Sequence, residues 1–334
     1  MYLVSILVSL YNEERYVERC ARSCFEQSYS DLEFVFVDDA STDQSVTVLE
    51  RVIEDYPERK PFVKSIHHNK NKGLAATRNS AFDNACGDFF CVVDGDDWLE
   101  ADGVQRLVEG QIRTGADVVW GRAIMHTEEG EIELSEPRYQ TLEEWRMCYF
   151  HFTQKLYMVN WRRLIRRELL EKHHIRHEEG LHIGNDKQFM PLIAYYADSF
   201  CVIDDIVYHY ERRNPSSRTY KSCHGIYDLF AHTREIESMR RVIAFLADKE
   251  PAYLEAAQSS KLERLLIYRK EAIRNRSLKG FKIMVKWIQE TPEVYLNSID
   301  WNSSSIRIKL KSNYYFSRLF FVAKNMMRNI IGNL

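Results

Sequence analysis

The chain has 334 residues, of which 45% are hydrophobic and 28% charged, with 13 glycines and 7 prolines. This composition is typical of a globular protein and excludes collagen-like, disulfide-scaffold and wholly disordered classes. The 46 basic and 49 acidic residues leave a net charge of −3, so no nucleic-acid partner is predicted. Seven cysteines without a Cys-x-x-Cys pair disfavour a disulfide framework and favour a cytoplasmic location.

Short apolar runs alternate with helix-patterned segments along the first two hundred residues. This alternation predicts an α/β fold, a Rossmann-like and mostly parallel sheet flanked by helices. The predicted strands cover residues 3–10, 32–38, 62–67, 89–94, 116–125 and 199–209. The predicted helices cover residues 14–28, 43–56, 74–86, 101–114, 141–150 and 185–197. Ser41 with Thr42, and Thr141 with Glu144, are predicted to cap two of these helices.

The strand pattern ends near residue 220, and residues 225–290 have helical periodicity, including 234–249 and 253–275. We therefore predict a sheet-containing domain over residues 1–220 and a mostly helical region over 221–334. The first apolar run lacks the features of a signal peptide and is predicted to be a buried strand. No window contains the roughly 18 apolar residues of a membrane-spanning helix.

Polar residues follow the first two predicted strands. Ser9, Tyr11, Asn12 and Glu13 lie at the end of the first strand, and Asp39 follows the second. In a parallel sheet, ligands collect at the carboxyl ends of strands. Asp39 could accept a hydrogen bond from a nucleobase while Tyr11 stacks on the base. The alternative is that Asp39, or its neighbour, only caps the following helix.

Gly73 begins the third predicted helix, and Arg78 lies about one turn further along it. This arrangement suits the approach of a backbone and a guanidinium to a diphosphate, although Arg78 could equally be a solvated surface residue. The dinucleotide-binding and Walker motifs are absent from the sequence. Their absence argues against a nicotinamide enzyme and a P-loop ATPase.

A second polar cluster, Asp94-Gly95-Asp96-Asp97, follows the strand at 89–94. Three carboxylates at one strand end repel each other unless a positive charge is near, and Gly95 permits a tight backbone turn. Carboxylate oxygens suit Mn²⁺ or Mg²⁺. Asp94, Asp96 and Asp97 are therefore candidate metal ligands, and His209 is a further candidate. The alternatives are an exposed acidic turn and, for His209, a structural residue in an aromatic strand.

Together, the segments VSILVSLYNE (4–13), VDDASTD (37–43), NKGLAATRN (71–79) and DGDD (94–97) resemble the family 2 glycosyltransferases in order and spacing. The resemblance implies a GT-A fold, a nucleotide-sugar donor, a divalent metal and inversion at the anomeric carbon. It also implies that Asp39 recognises the base, that Arg78 lies near the diphosphate, and that Asp94 and Asp96 form the metal-binding pair. Ser9 stands where this family often has proline.

The family typically carries a Glu-Asp pair at the start of a helix below the acceptor cleft. Asn185-Asp186 lies at the matching place, so the resemblance implies that Asp186 is the general base. Asn185 replaces the usual glutamate, which puts the class of acceptor in doubt. The implied donor is a UDP-sugar by default, and the implied acceptor is a saccharide or lipid-linked saccharide of bacterial surface polysaccharide synthesis. A sugar nucleotidyltransferase and a catalytically silent nucleotide-sugar-binding protein are the alternatives.

The end of the chain is basic, with six basic and no acidic residues between Trp301 and Leu334. Within this tail, apolar and basic residues are interspersed over 306–311 and 314–331. Such a segment suits peripheral contact with an anionic membrane, at the inner face of the cytoplasmic membrane. The alternative is a helix that packs on the protein itself. The sequence predicts no oligomeric state.

Overall fold

The structure, a computed structural model, describes residues 2–135, 139–152, 158–181, 184–217, 220 and 229–291. The basic tail, with its segments 306–311 and 314–331, lies outside the described residues. Among those described, nine strands form one mixed sheet in the order β3-β2-β1-β4-β8-β6-β9-β5, with β7 paired to β6. The strands are β1 Val4–Leu10, β2 Leu32–Asp38, β3 Val63–His67, β4 Phe89–Asp94, β5 Trp98–Leu99, β6 Val118–Thr127, β7 Gly130–Leu134, β8 Arg163–Arg166 and β9 Phe200–Glu211.

The first part of the sheet confirms the predicted parallel arrangement, because β3, β2, β1 and β4 all run in the same direction. Each is followed by a helix or turn that returns the chain to the other end of the sheet. The helices in this part are α1 Val17–Phe25, α2 Ser45–Glu54, α3 Leu74–Asn84 and α4 Gly103–Thr114. The six predicted strands and these four helices all form, with bounds that differ by a few residues.

The second part of the sheet adds antiparallel strands to the predicted parallel arrangement. Strand β8 runs antiparallel to both β4 and β6, and β5 runs antiparallel to β9. Only β6 and β9 form a parallel pair in this part of the sheet as described. Three short strands, β5, β7 and β8, were not predicted from the sequence. The helices here are α5 Leu142–Phe150, α6 Arg167–Lys172 and α7 Asn185–Tyr196.

The sheet is covered by helices on both faces because side chains alternate along each strand. On one face, Ile6, Phe34 and Cys91 pack in a core with residues of α1, α2 and α4. On the other face, Phe82 of α3 stacks on Phe90 of β4 with ring centroids 5.3 Å apart. Both faces of the sheet are therefore covered by apolar side chains. Polar groups can reach solvent or a ligand at the ends of the strands.

Helices follow the sheet, as predicted. They are α8 Leu229–Phe245, α9 Pro251–Arg274 and α10 Leu278–Gln289. The chain divides into two compact units, residues 1–257 and 258–334, and the division falls inside α9. The boundary predicted near residue 220 stays a prediction. None of the helices that the structure describes is long and apolar enough to cross a bilayer.

A buried carboxylate joins three elements at the sheet edge where β1 and β4 begin. Glu33, 5% exposed, accepts hydrogen bonds from the Ser5 hydroxyl, the Cys86 thiol and the amides of Cys86 and Gly87, and pairs with Lys64. Burial by itself would raise its pKa. These hydrogen bonds outweigh burial and lower the pKa of Glu33 to about 2.

We expect Glu33→Gln to destabilise the protein by about 3 kcal/mol at pH 7, the equivalent of the pKa difference between the unfolded and folded states. Because the folded-state pKa is lowered, this stability is present above the unfolded pKa of 4.5 and is lost as the pH falls towards 2. Urea unfolding at pH 7 and pH 3.5 measures the difference. Glu54→Gln, at an exposed carboxylate, is the control. A penalty that is equal at both pH values would contradict the prediction.

Candidate active site

The carboxyl ends of β1, β2 and β4 meet at one edge of the sheet. In the parallel register, Ser9 lies beside Val37 on one side and beside Asp94 on the other, and Leu10 lies beside Asp38. The polar residues predicted from the sequence therefore lie at neighbouring strand ends. Tyr11 is 46% exposed just beyond β1, whereas Ser9 is buried.

Asn12 holds the loops after β1 and β2 together. It has a left-handed backbone (φ 57°), its amide donates to the Ser41 hydroxyl at 2.9 Å, and its side-chain oxygen accepts from the Thr42 amide at 2.8 Å. The predicted capping role of Ser41 and Thr42 is wrong. Helix α2 begins at Ser45, and the Asp43 carboxylate accepts the Ser45 amide hydrogen instead.

Asp39 joins the end of β2 to the loop before α3. One of its oxygens accepts the Lys72 amide hydrogen at 2.8 Å, the other accepts that of Gly73 at 2.7 Å, and His68 Nδ1 lies 2.7 Å away. Gly73 has a φ of 89°, a conformation that favours glycine, and directly precedes α3. Asp39 is therefore not a cap for the helix that follows it in sequence; it fixes the start of α3, which carries Arg78.

Arg78 is the charged centre of the site. Its side chain is 2% exposed, and its guanidinium donates to Asp94 and to Asp186, both at 2.8 Å. Burial opposes its charge, but the two carboxylates dominate and raise the pKa of Arg78. This geometry excludes the alternative of a solvated surface arginine. A single guanidinium thus links the end of β4 to the start of α7.

Asp186 lies in the first turn of α7, and its side chain is 27% exposed. Burial raises its pKa, whereas Arg78 opposes the rise and Asp94 adds to it; the net shift is upward. Only one carboxylate oxygen is hydrogen-bonded to Arg78. Asp186 therefore combines a fixed position with partial access to solvent. The adjacent Asn185 is 4% exposed.

Two acidic side chains, from the loops after β1 and β4, share one amide. Asn214 Nδ2 donates to Asp96 at 2.8 Å and to Glu13 at 3.1 Å. Burial and the neighbouring Asp96 raise the pKa of Glu13 to about 9. Burial, together with the charge of Asp94 and despite the hydrogen bond from Asn214, raises the pKa of Asp96 to about 6. No cationic side chain is among the groups that lower the pKa of Glu13 or Asp96 in the part of the chain described, so a bound cation would stabilise their charged forms.

The acidic turn after β4 is built for a close approach to β1. A Cβ atom on Gly95 would lie 2.6 Å from the Leu10 side chain and 2.9 Å from the Ser9 carbonyl oxygen, so a larger residue would displace the turn. Asp97 is fully buried behind the turn. Its oxygens accept hydrogen bonds from the Tyr208 hydroxyl and the Glu211 amide, both at 2.7 Å. These contacts favour a structural role for Asp97.

His209 lies on β9 and is engaged at both ring nitrogens. Nε2 lies 2.7 Å from the Glu100 carboxylate and Nδ1 lies 3.1 Å from His126, while the ring stacks on Trp98. These contacts favour the structural alternative for His209. Across the described ranges, no three His, Cys, Asp or Glu side chains are grouped as a ready-made metal cage. Asp94 and Asp96 nevertheless fit a divalent cation, because such ions often take one or two protein carboxylates and ligand phosphates.

Helix α8 holds the start of α7. Lys187, next to Asp186, forms an ion pair with Glu235 in which both side chains are almost buried. Gly184, immediately before α7, has a φ of 82°, and a Cβ there would lie 2.7 Å from the Ser238 hydroxyl. The position of Asp186 therefore depends on a helix more than forty residues further along the chain.

Comparison with known proteins is consistent with this site. Residues 5–174, just over half of the chain, match the model of the family described as Glycosyl transferase family 2. The chain therefore belongs to this family. Asp186 and α8 lie beyond the matched segment.

Three relatives illustrate the similarity. The chain is 31% identical over 223 residues to an uncharacterized glycosyltransferase, EpsJ of Bacillus subtilis, covering 65% of this chain and 63% of EpsJ. The structure of S. aureus TarS 1–349 in complex with UDP-GlcNAc aligns with a TM-score of 0.55 and 18% identity, covering 86% of this chain and 92% of that fragment. The mannosyltransferase PcManGT of Pyrobaculum calidifontis, in complex with GDP-Man and Mn²⁺, aligns with a TM-score of 0.53 and 18% identity, covering 93% and 86%.

These alignments confirm the GT-A fold. The chain spans a little under two thirds of the length of EpsJ.

Two residues of this site were missed in the sequence. Asn214 lies in the segment that marked the predicted domain boundary, and no pattern connects it with Glu13, 201 positions earlier. His68 directly follows β3. The sequence offers no reason to choose His68 over the adjacent His67 as the partner of Asp39. Both act through tertiary contacts, so only the fold identifies them.

Proposed function

We propose that this protein is an inverting glycosyltransferase that moves a sugar from a nucleotide-sugar to an acceptor hydroxyl. The observation that carries the proposal is the contact of buried Arg78 with both Asp94 and Asp186. Through this contact, Arg78 holds Asp186, which could act as a general base, near Asp94, which could bind a metal ion beside the diphosphate. Membership of the glycosyltransferase family supports the same reaction.

The donor would lie along the edge formed by β1, β2 and β4. We assign the nucleotide to Tyr11, Asp39 and the loop that begins at Gly73, with Ser9, Asn12, Glu13, Arg78 and Gly95 as further donor-side residues. The spare acceptor sites on the Asp39 carboxylate could take a base N–H, since each oxygen has two lone pairs. Asp94 and Asp96 would hold Mn²⁺ or Mg²⁺, which supplies positive charge beside the diphosphate when bound.

The proposed reaction is a single displacement. The acceptor oxygen forms a bond to the sugar C1 while the bond from C1 to the diphosphate oxygen breaks, which inverts the configuration at C1. Asp186 accepts the hydroxyl proton, and the electron pair of the broken bond leaves with the nucleotide diphosphate. Proton transfer is favourable only as the new bond forms, because the hydroxyl becomes more acidic at that stage. The raised pKa of Asp186 makes it a stronger base than an exposed aspartate.

We propose a UDP-sugar donor, in line with the UDP-GlcNAc bound to TarS; the GDP-Man of PcManGT shows that the fold also accommodates another nucleotide. The proposed acceptor is a saccharide or lipid-linked saccharide in cell-surface polysaccharide synthesis. We further propose a cytoplasmic protein that makes peripheral contact with the inner face of the membrane. The proposed catalytic domain ends near residue 220.

One experiment tests the reaction class. A panel of nucleotide-sugars is incubated with the full chain and Mn²⁺, and the released nucleotide is identified by chromatography. Release of a nucleoside diphosphate supports the transferase. In a parallel reaction with added pyrophosphate, formation of a nucleoside triphosphate and a sugar 1-phosphate would indicate a nucleotidyltransferase. Donor binding without any turnover, with saccharide acceptors supplied, would indicate a silent binding protein.

Asp96→Ala should abolish the metal-dependent part of donor binding, because it removes a carboxylate that would hold the cation beside the diphosphate. Titration calorimetry with UDP, with and without Mn²⁺, measures this part. Asp102→Ala, at an exposed carboxylate in a surface ion pair, is the matched control. An unchanged gain in affinity on adding Mn²⁺ would rule out a metal-binding role for Asp96.

Reversing the buried pair tests the anchoring of Asp186. Lys187→Glu or Glu235→Lys alone should lower kcat between about 10- and 100-fold with little change in the donor KM, because the base is misplaced while the donor site is intact. The double variant should recover most of the lost kcat. The same reversal at Lys60 and Glu54, an exposed pair, should change nothing. Equal losses in the single and double variants would contradict the prediction.

A further inference from the structure

Helices α9 and α10 and the turn between them carry exposed basic residues. We define the basic face as Lys270, Arg274, Arg276, Lys279, Lys282 and Lys286, all of which are exposed. Of these six, only Lys286 has an ion pair among the residues that the structure describes, at 3.8 Å from Glu290. The basic face therefore has little acidic compensation of its own.

Charge is strongly segregated between the two compact units. Residues 258–334 contain 15 basic and 5 acidic residues, a net charge of +10. Residues 1–257 contain the other 31 basic and 44 acidic residues, a net charge of −13. The near-neutral total of −3 hides this separation. Such an unequal distribution favours a partner of opposite sign at the second unit.

The cations lie on the solvent side of their helices. On α10, Gly280, Met284 and Ile288 are buried at a spacing of four residues, whereas Lys279, Lys282 and Lys286 are exposed. Three large apolar side chains are exposed among the cations. These are Ile267 at 42%, Ile273 at 58% and Leu278 at 61%. Residues 267, 270 and 274 share one stripe of α9 because of helical periodicity.

We propose that the basic face, with these exposed apolar side chains, binds the surface of a bilayer that contains anionic lipid. Lysine and arginine attract anionic headgroups, and apolar side chains beside them can enter the boundary between headgroups and acyl chains. This deepens the membrane contact named in the proposed function, because it assigns that contact to described helices and not to the tail. Vesicle binding is measured without a sugar donor or acceptor. A protein that binds no vesicles would therefore contradict this proposal and leave the transferase proposal unaffected.

Other occupants fit the surface less well. A nucleic acid would satisfy the cations but would leave three large aliphatic side chains without a matching surface. Residues 292–334 contain six basic and two acidic residues, so this segment would bring like charge to the basic face. The outcomes of the test separate these occupants from a bilayer.

The test is flotation of the full chain with vesicles of phosphatidylcholine alone or in an equal mixture with phosphatidylglycerol. We expect binding only to the mixture, and weaker binding at high salt because ions screen the attraction. Replacing Lys279, Lys282 and Lys286 by Gln should lower the partition coefficient about 100-fold, since each cation near an anionic surface contributes about a factor of five. Ile273→Ser with Leu278→Ser should lower it as well.

Two full-length control variants make the result specific. Gln at Arg51, Lys60 and Arg113, three exposed cations of the first unit, should leave flotation unchanged. Gln at Arg307, Lys309 and Lys311 measures the contribution of the tail. The proposal is overturned if only the tail variant loses binding, if the wild-type protein binds both kinds of vesicle equally, or if it binds neither kind. Thermal melts confirm that each variant is folded.

Discussion

Replacing Asp186 by asparagine should reduce sugar transfer by roughly 10²- to 10⁴-fold, the usual contribution of a general base. Asparagine preserves the size of the side chain and can still accept a hydrogen bond from Arg78, but it cannot accept the acceptor's proton. The donor affinity should remain close to that of the wild-type protein, because the assigned nucleotide contacts come from other elements. Single-turnover kinetics with a saturating donor measures the loss of turnover.

The control for this prediction lies at the other end of the same helix. Asp198 is exposed just after α7, so Asp198→Asn removes a similar charge without touching Arg78. It should keep full turnover. If Asp186→Asn folds correctly and transfers sugar at the wild-type rate, Asp186 is not the base.

Arg78→Met should destabilise the protein by about 3–5 kcal/mol, because removing one member of a buried ionic group leaves the others uncompensated. Asp94 and Asp186 would then face each other across an apolar side chain. Turnover should also fall, since both carboxylates lose their common hydrogen-bond donor. Urea unfolding with a fitted free energy measures the stability.

A second substitution distinguishes electrostatics from packing. Adding Asp94→Asn to Arg78→Met removes one of the uncompensated charges, so the double variant should be more stable than additivity of the two changes predicts. Arg106→Met breaks an exposed pair with Asp102 and should cost at most about 1 kcal/mol. A purely additive double variant would show that lost packing, not charge, dominates the effect of Arg78→Met.

The sequence predicts the first part of the sheet well because β1, β2 and β4 are largely apolar and buried, and helix-patterned segments separate β1, β2, β3 and β4 along the chain. The second part departs from this pattern. Strand β8 contains Arg163 and Arg166, which obscure it as a buried strand. In the fold, the guanidinium of Arg163 lies 4.9 Å from the Trp120 ring centroid, and Arg166 pairs with Asp117 at 2.8 Å. These contacts, which stabilise the two arginines, come from residues distant in the sequence and therefore leave no local sequence pattern.

The site shows the same division. Strand ends and the acidic turn are local features, so their residues could be listed from the sequence. The role of Arg78 could not be decided there, because its two partners lie 16 and 108 positions away. The start of α7 was predicted at Asn185, but its anchoring through Lys187 and Glu235 was not. Long-range ion pairs of this kind follow only from the fold.

The amide of Asn214 has a consequence for the order of biosynthesis. It donates to Glu13 and Asp96, and the ribosome adds Asn214 201 residues after Glu13 and 118 residues after Asp96. Until then, the Asp96 carboxylate lacks this hydrogen-bond donor, and Asp97 lacks the strand β9 that covers it. A nascent chain that ends before this point cannot complete the site even if β1 to β4 have already paired. The proposed metal and diphosphate end of the site should therefore be completed only after the N-terminal part has folded.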